Sequence, residues 1–347
     1  MPIKTSGSTG VPMTLYGTRS EYLLLNIIKF RALRALGLKW RDKMIKVQNR
    51  AYVHRPLPWK LLQKVGLLRQ EDIHSASPQE VASWLAEKNA DVLSGYSGNL
   101  ARVAQILAGR PDRKLRPRLI IGGADTVTPF LRRQIESTFQ APFLDTYLCM
   151  ESGLIAWECP VSGRYHVEHD HLIVEVLKDG RPARPGERGE VVITSLVRRA
   201  MPFIRYRLDD FALVAGGDCP CGRRSALLEG VLGKRQDYFW LPGEVEFNPW
   251  TISGLWTGRA AWILQFQLVQ EKPASIVLRI VPAAPPPPDE ASALAAETRK
   301  ILGPGVDFRM ELVEDIKPDV GGKFRIHRSL VRSLYDDPAG GDSLPSS

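Results

Sequence analysis

The residues whose types and spacing most clearly suggest a binding function lie near the start of the chain. Glycine lets a backbone turn so that several N–H groups point into one concavity, and neighbouring hydroxyls add donors that suit phosphate oxygens. No lysine follows the last glycine, so the segment is not a P-loop of the Gly-Lys-Ser/Thr type. The pattern predicts either a phosphate-binding loop or a solvated turn. Its residues are Thr5, Ser6, Gly7, Ser8, Thr9 and Gly10.

Three later segments place useful side chains directly after predicted strands. Residues 122–125 combine a flexible backbone with a carboxylate, which suits an approach to a flat ring. Tyr147 precedes Glu151 by four residues, and Asp209 and Asp210 form an acidic pair that suits neighbouring hydroxyls. Open α/β sheets bind ligands beyond the carboxyl ends of their strands, so these segments are candidates for one site.

A second group of residues suits a metal ion. Two thiols flank one predicted turn, and a thiol and an imidazole flank another, so four ligands could surround a tetrahedral zinc ion with no open position. Such a site is structural. His169 and His171 are rival imidazole ligands, buried thiols without metal are the alternative, and Cys149 is predicted to lie outside the site. The four predicted ligands are Cys159, His166, Cys219 and Cys221.

The elements that must position these groups alternate between helix and strand in the first half of the chain. Apolar spacing predicts helices and strands that together indicate a largely parallel sheet with helices on both faces. From residue 165 the sequence is mostly β, with strands predicted at 166–176, 190–195 and 211–214. The helices are predicted at residues 19–38, 77–90, 99–107 and 129–139, and the strands between them at 43–47, 91–96 and 118–121.

The last third of the chain predicts a small α+β unit. A hairpin is predicted at 261–269 and 275–281, a helix at 289–302 and a strand at 306–313. We therefore divide the chain into a large domain at 1–232, a small domain at 233–335 and a disordered tail at 336–347.

Composition excludes several classes of protein. The chain has 347 residues, of which 44% are hydrophobic and 24% are charged, as in a soluble globular protein. No apolar run approaches the ~20 residues that cross a bilayer, and no signal-peptide pattern begins the chain. The net charge of +9 is scattered without interleaved aromatic residues, which favours a small anionic ligand over nucleic acid. We predict a cytoplasmic protein with no membrane or nucleic-acid partner.

The order of these motifs resembles the adenylate-forming superfamily of acyl-CoA synthetases. Within it, residues 202–207 and the Cys-Pro-Cys-Gly-Arg run at 219–223 are similar to the phenylacetate-CoA ligase family. The resemblance extends from Thr5 to about Arg328. The segments that carry it lie at residues 5–10, 147–151, 205–210, 232–234 and 321–323.

The resemblance implies a role for each candidate residue in the large domain. The loop at 5–10 would hold the β- and γ-phosphates of ATP, Glu151 would ligate Mg²⁺, Tyr147 would stack on adenine, and Asp210 would accept hydrogen bonds from the ribose. The turn that would run along the nucleotide consists of Gly123, Ala124 and Asp125.

The resemblance also assigns residues in the second domain. Lys323 would reach the reacting phosphate and carboxylate, Asp237 would lie near the hinge, and Gly243 would line the tunnel for coenzyme A. The implied fold is α/β, with a large N-terminal domain of mixed and parallel sheets plus a β-rich subdomain, and a small α+β C-terminal domain that swivels.

The implied activity is ATP-dependent ligation of an aryl or arylacetic acid to coenzyme A through an acyl adenylate, with Mg²⁺ and a structural Zn²⁺. Family members carry a lysine at the position of Val11, a hydroxyl residue at that of Met150, and a further segment before the glycine loop. We expect this chain to lack that segment and to adenylate poorly without it. Two alternatives stay open: transfer of the acyl group to an amine or carrier protein, and a degenerate nucleotide-binding protein without activity. A homodimer is also left open.

Overall fold

A computed structural model describes most of the chain. The chain forms two compact units. The first contains Met1–Gly233 and Pro318–Phe324, and the second contains Lys234–Lys317 and Arg325–Ser347. The functions that we predict for two domains stay predictions. The described residues are 2–4, 13–48, 69–74, 78–110, 112–124, 127, 129–234, 238–243, 245–247, 249–259, 262–317 and 325–331.

The first unit contains helices and one large sheet. Its helices are α1 Arg19–Ala35, α2 Pro78–Ala86, α3 Ser97–Ala108 and α4 Pro129–Phe139. Its strands are β1 Pro2–Lys4, β2 Thr14–Tyr16, β3 Lys43–Gln48, β4 Arg69–His74, β5 Val92–Gly95, β6 Leu119–Gly123, β7 Phe143–Cys149, β8 Gly153–Glu158, β9 Tyr165–Val167, β10 Leu172–Lys178, β11 Arg181–Pro182, β12 Arg188–Ser195, β13 Tyr206–Val214 and β14 Leu227–Lys234.

Twelve of these strands form a single mixed sheet. Its order is β11-β10-β12-β13-β14-β9-β8-β7-β6-β5-β3-β4. Strands β4, β3, β5, β6 and β7 run parallel, and β8 turns back antiparallel to β7. The short β1 and β2 pair apart from this sheet.

Both faces of the parallel part are covered by helices. Ile45 and Val47 pack with residues of α2, α3 and α4, whereas Met44, the residue before Ile45 in β3, packs with α1 on the other face. This alternation follows from the period of two in a strand. Every residue of Leu119–Gly123 is buried, as expected for a strand covered on both sides. The predicted two-sided α/β fold is confirmed.

Helix α1 begins at the predicted residue, Arg19, and ends at Ala35, three residues before the predicted end. Thr18 caps its first turn, with the Glu21 amide donating to the Thr18 hydroxyl at 3.2 Å and the Thr18 amide donating to the Glu21 carboxylate at 2.8 Å. Gly37, with a φ of 102°, follows the last turn in a conformation that favours glycine.

The β-rich part differs from the prediction in several places. The single strand predicted at 166–176 is wrong, because the chain turns between β9 and β10, where buried Glu168 pairs with Arg31 of α1. Strands β8, β11 and β14 were not predicted. Strand β13 begins at Tyr206 rather than at residue 211, so the placement of Asp209 and Asp210 in a turn after a strand is wrong. All residues of β8 after Gly153 are buried, so the strand lacks the alternation that marks a half-exposed strand.

The second unit contains the helices α5 (Trp250–Arg259) and α6 (Pro288–Leu302) and a four-stranded sheet in the order β19 (Asp307–Leu312), β18 (Ser275–Pro282), β17 (Ile263–Lys272) and β20 (His327–Ser329). The predicted hairpin is confirmed as β17 and β18, and β20 adds a parallel strand that the sequence did not reveal. The indole N–H of Trp256 in α5 donates to the hydroxyl of Thr298 in α6 at 2.9 Å. The elements are β15 Phe239–Leu241, β16 Val245–Phe247, α5 Trp250–Arg259, β17 Ile263–Lys272, β18 Ser275–Pro282, α6 Pro288–Leu302, β19 Asp307–Leu312 and β20 His327–Ser329.

Within the described residues, no helix combines the length and the apolar character needed to span a bilayer.

Candidate functional site

The predicted phosphate loop joins two paired strands. Strands β1 and β2 pair antiparallel, with Pro2 opposite Tyr16 and Lys4 opposite Thr14, and the predicted loop lies between them in sequence. Residues 5–12 themselves, which include all six residues of the predicted loop, lie outside the described residues. Their role as a phosphate loop stays a prediction.

The end of β6 is tightly bound to its neighbours. The Gly123 amide donates to the Ser97 hydroxyl at 3.1 Å, and the Thr146 hydroxyl donates to the Gly122 carbonyl at 2.6 Å. A Cβ added to Gly123 would lie 2.6 Å from Thr146 Oγ1, so only glycine fits there without displacement. Ala124 follows with a φ of 69°, in the left-handed region. Asp125, the third predicted residue of this turn, lies outside the described range.

The structure brings together the two residues that the resemblance assigns to adenosine. The Tyr147 hydroxyl donates to Asp210 Oδ2 at 2.7 Å across 63 positions of sequence. Tyr147 lies inside β7, so its assignment to the turn after the strand is wrong. Burial, followed by the charge of Asp210, raises the pKa of Tyr147 well above its usual value, which keeps the hydroxyl protonated as the donor.

A bulge in β13 directs Asp210 toward Tyr147. Glu190 of β12 faces Phe211 and Val192 faces Arg207, so three residues of β13 stand opposite one of β12. Asp209, in the middle of the bulge, has a φ of 58°. Bulges re-aim side chains next to binding sites, and this one separates the acidic pair so that Asp210 alone reaches Tyr147.

Glu151 stands in the turn between β7 and β8, and its backbone is held from two sides. Arg198 donates from Nε to the carbonyl of Glu151 and from a terminal nitrogen to that of Met150, both at 2.9 Å. The ring Nε2 of buried His171 lies 3.1 Å from the carbonyl of Ser152. Sequence reasoning missed Arg198, since nothing in its neighbourhood distinguishes it from the adjacent Arg199.

A buried ionic network supports β7 behind the site. Arg132 of α4 binds both carboxylate oxygens of Glu158 at 2.9 and 2.8 Å. One of these oxygens also accepts the amide of Asp145 at 2.8 Å, and the Asp145 carboxyl accepts the Tyr165 hydroxyl at 2.7 Å. Burial raises the pKa of Asp145 to about 6.

The four predicted zinc ligands converge. Their ligand atoms all lie within 4.8 Å of one another, with Cys159 Sγ 3.6 Å from Cys219 Sγ and Cys221 Sγ 3.2 Å from His166 Nε2. Thiolates on a tetrahedral zinc are about 3.8 Å apart, so two sulfurs already stand at this spacing. His166 Nδ1 lies 2.7 Å from the Ser225 hydroxyl, which leaves Nε2 for the metal.

The structure also separates the rival residues from this cluster. His171 is directed to the Ser152 carbonyl and His169 Nδ1 lies 3.3 Å from the Val167 carbonyl. Cys149 Sγ lies 3.1 Å from the Ser152 hydroxyl in the Glu151 turn. The donor set of three thiols and one imidazole fits a closed structural zinc site.

Of the residues predicted to act from the second domain, only Gly243 is described. It is exposed, lies in the turn between β15 and β16 with a φ of 78°, and has no atom within 4 Å of an added Cβ. Asp237 and Lys323 lie outside the described residues. The hinge, tunnel and catalytic roles therefore stay predictions.

Solved structures with this architecture define its class. The chain is similar to 2-hydroxyisobutyryl-CoA ligase in the postadenylation state, with a TM-score of 0.76 and 18% identity over 95% of this chain and 73% of that chain. It is also similar to the anthranilate CoA ligase AuaEII in complex with anthranoyl-AMP, with a TM-score of 0.68 and 14% identity over 93% of this chain and 65% of that one. The fold is that of the adenylate-forming CoA ligases.

Sequence comparison shows which CoA ligases the chain is similar to. The chain is 33% identical to a phenylacetate-coenzyme A ligase of Pseudomonas putida over 238 residues, covering 65% of this chain and 53% of that protein. It is 26% identical to the Escherichia coli K12 phenylacetate-coenzyme A ligase over 251 residues, covering 69% and 56%. Residues 247–329 match the CapK C-terminal domain. The predicted resemblance to the phenylacetate-CoA ligase family is confirmed, and the chain spans about half the length of these relatives.

Proposed function

We propose that this chain is an ATP-dependent carboxylate-CoA ligase that acts through an acyl adenylate. The observation that carries the proposal is the 2.7 Å hydrogen bond between Tyr147 and Asp210, because it joins the proposed adenine and ribose contacts in one place. The sequence similarity to phenylacetate-coenzyme A ligases supports the same reaction.

The proposed reaction has two half-reactions. A carboxylate oxygen attacks the α-phosphorus of ATP and pyrophosphate leaves, and the sulfur of coenzyme A then attacks the acyl carbon and AMP leaves. Asp210 accepts hydrogen bonds from the ribose, Tyr147 stacks on adenine, and the loop at 5–10 holds the phosphates. Glu151 would hold a Mg²⁺ ion, which would supply positive charge next to the phosphate oxygens. Lys323 stabilises the charge that gathers during adenylation.

The proposed substrates are aryl or arylacetic acids, ATP and coenzyme A. Phenylacetate is the first acid to test, because the curated relatives are phenylacetate-coenzyme A ligases. Gly243 is proposed to face the pantetheine arm of coenzyme A, and Asp237 to lie near a hinge.

A screen of acid-dependent ATP–pyrophosphate exchange tests adenylation. Phenylacetate, benzoate and alkyl acids are compared, and exchange is expected with at least one aryl acid. Glu151→Gln is expected to lower the exchange rate by 10²-fold or more, as for the loss of a strong electrostatic contact in the transition state. Glu229→Gln, at an exposed strand position, is the matched control. Absence of exchange with every acid would overturn the proposal.

The cysteine–histidine cluster is proposed to bind a structural Zn²⁺. The proposal rests on the convergence of Cys159, His166, Cys219 and Cys221 and on the absence of a fifth, open position in a tetrahedral Cys₃His site. Its role is to fix the turn after β8 against the turn before β14. It takes no part in the proposed chemistry.

A further inference from the structure

We propose that Arg198 is a positioning residue that fixes the Glu151 turn and thereby sets the affinity of the site for Mg²⁺–ATP. The inference rests on the proposed function, since it takes Glu151 as the metal ligand. Arg198 would touch neither metal nor nucleotide and would act through the backbone of Glu151.

On one side, the guanidinium of Arg198 binds the turn that carries Glu151. It donates to two consecutive carbonyls, those of Met150 and Glu151, at 2.9 Å each. With the Ser152 carbonyl next to His171 Nε2 at 3.1 Å, three consecutive carbonyls are held by buried side chains. The direction in which the Glu151 side chain leaves the backbone is therefore fixed by its neighbours.

On its other side, Arg198 rests on the N-terminal part of α1. Its guanidinium carbon lies 4.7 Å from the centre of the Tyr22 ring. A Cβ added to Gly17 would come within 2.6 Å of a terminal nitrogen of Arg198, so the backbone between β2 and α1 lies directly against the guanidinium. Because Gly17 directly follows β2, Arg198 connects the segment between β2 and α1 with the Glu151 turn.

Glu21 binds the backbone directly after Arg198. Its carboxylate accepts the amides of Arg199 at 2.8 Å and Ala200 at 2.9 Å, in addition to its capping bond with Thr18. Burial alone would raise the pKa of Glu21, but these amide bonds and the charge of Arg198 lower it. The ionised carboxylate thus holds the segment after β12 against the first turn of α1.

The chemistry of this position calls for arginine. Only 4% of Arg198 is exposed, and burying a cation is costly unless donors are used. Nε and Nη2 donate to the two carbonyls, whereas Nη1 has no hydrogen-bond partner among the described residues. A planar guanidinium can donate to adjacent carbonyls while its face lies on an aromatic ring, whereas the ammonium of lysine cannot do both. A residue that only filled space would not need this charge.

The test measures acid-dependent pyrophosphate exchange as a function of Mg²⁺ concentration. Arg198→Lys is expected to raise the half-saturating Mg²⁺ concentration about 10-fold or more, the usual effect of removing a group that orients a metal ligand. The KM for the acid should stay within about twofold. Arg199→Ala, which removes the exposed side chain next in sequence, should match the wild type in both quantities.

A second pair of variants perturbs Arg198 without replacing it. Tyr22→Leu removes the ring under the guanidinium and is expected to raise the half-saturating Mg²⁺ concentration about fivefold, whereas Tyr22→Phe keeps the ring and should not. This pair decides the question if Arg198→Lys does not fold. Equal Mg²⁺ dependence of Tyr22→Leu and Tyr22→Phe would contradict the proposal.

Combining Arg198→Lys with Glu151→Gln distinguishes a positioning role of Arg198 from a general effect on protein stability. If Arg198 acts through Glu151, Arg198→Lys should change exchange less than twofold in the Glu151→Gln background. Equal fold-losses in both backgrounds, or an unchanged Mg²⁺ dependence in Arg198→Lys with an active wild type, would overturn the role of Arg198 alone. A wild type without exchange for any acid would overturn the proposed function and this inference together.

Discussion

Asp145 is a carboxyl group buried two residues before Tyr147 in the same strand. Its pKa is raised to about 6, first by burial and then by the charge of Glu158, while the hydrogen bond from Tyr165 and the charge of Arg132 act in the other direction. The folded state therefore binds this proton more tightly than the unfolded state. The stability that the protonated carboxyl provides is present at pH 4 and is lost as the pH rises through about 6.

We predict that Asp145→Asn removes this dependence, because asparagine can still accept from Tyr165 but does not titrate. Between pH 4 and pH 8 the free energy of unfolding of the variant, relative to wild type, should rise by about 2 kcal/mol. Urea unfolding across this range measures it, and Asp112→Asn at an exposed position is the control. A difference that does not change with pH would show that Asp145 does not titrate there.

Replacement of Lys323 tests whether this residue acts in adenylation alone. A cation that reaches the α-phosphate only during adenylation should matter for that half-reaction alone. Lys323→Ala is predicted to slow acyl-adenylate formation by roughly 10²-fold and to leave conversion of a supplied acyl adenylate to acyl-CoA largely intact. Lys317→Ala, at an exposed position, is the control. Equal loss in both half-reactions, or in neither, would contradict the predicted role.

At the level of elements, the end of β6 packs so closely against β7 that a side chain at position 123 would clash with it. A Cβ at position 123 would lie 2.6 Å from Thr146 Oγ1 and 2.7 Å from the Thr146 carbonyl oxygen, and the second of these atoms belongs to the backbone. We predict that Gly123→Ala lowers the free energy of unfolding by about 1–3 kcal/mol. Gly109→Ala, where an added Cβ meets nothing within 4 Å, should change it by less than about 0.5 kcal/mol. Chemical denaturation compares them, and equal effects would refute the steric account.

The two turns that hold the cysteine–histidine cluster give a second prediction for elements. The purified protein should contain about one zinc ion per chain, and the double replacement Cys219→Ser with Cys221→Ser should remove it and lower the unfolding temperature, because metal binding contributes to folding. Cys149→Ser, outside the cluster, should retain the zinc. Elemental analysis decides the matter, and zinc that survives the double replacement would contradict the site.

At the level of the whole molecule, the sequence predicted the elements with strong periodicity and missed those without it. Helix α4 at Pro129–Phe139 was predicted to the residue, because its apolar spacing and its proline mark both face and start. Strand β8 was missed because both of its faces are buried, and β20 because its three residues are a strand only by pairing with β17.

The candidate site was also predicted only in part from the sequence. Side chains with a distinctive pattern, such as the Cys-Pro-Cys run or the Asp209–Asp210 pair, were predicted to be chemically important from sequence. The bulge that gives Asp210 rather than Asp209 the contact with Tyr147 is a property of strand register, which the sequence of one strand does not contain. The role of Arg198 could be recognised only from the fold, which brings its guanidinium into hydrogen-bond contact with Glu151, 47 residues away in sequence.

The most direct test of the central claim is a single experiment on the full chain. Purified protein is incubated with phenylacetate or the best acid from the exchange screen, ATP, Mg²⁺ and coenzyme A, and the thioester and AMP are quantified together by mass spectrometry. We predict acyl-CoA and AMP in equal amounts, both dependent on the acid and both greatly reduced in Glu151→Gln. AMP release that coenzyme A does not stimulate, or ADP as the nucleotide product, would contradict a CoA ligase that acts through an acyl adenylate.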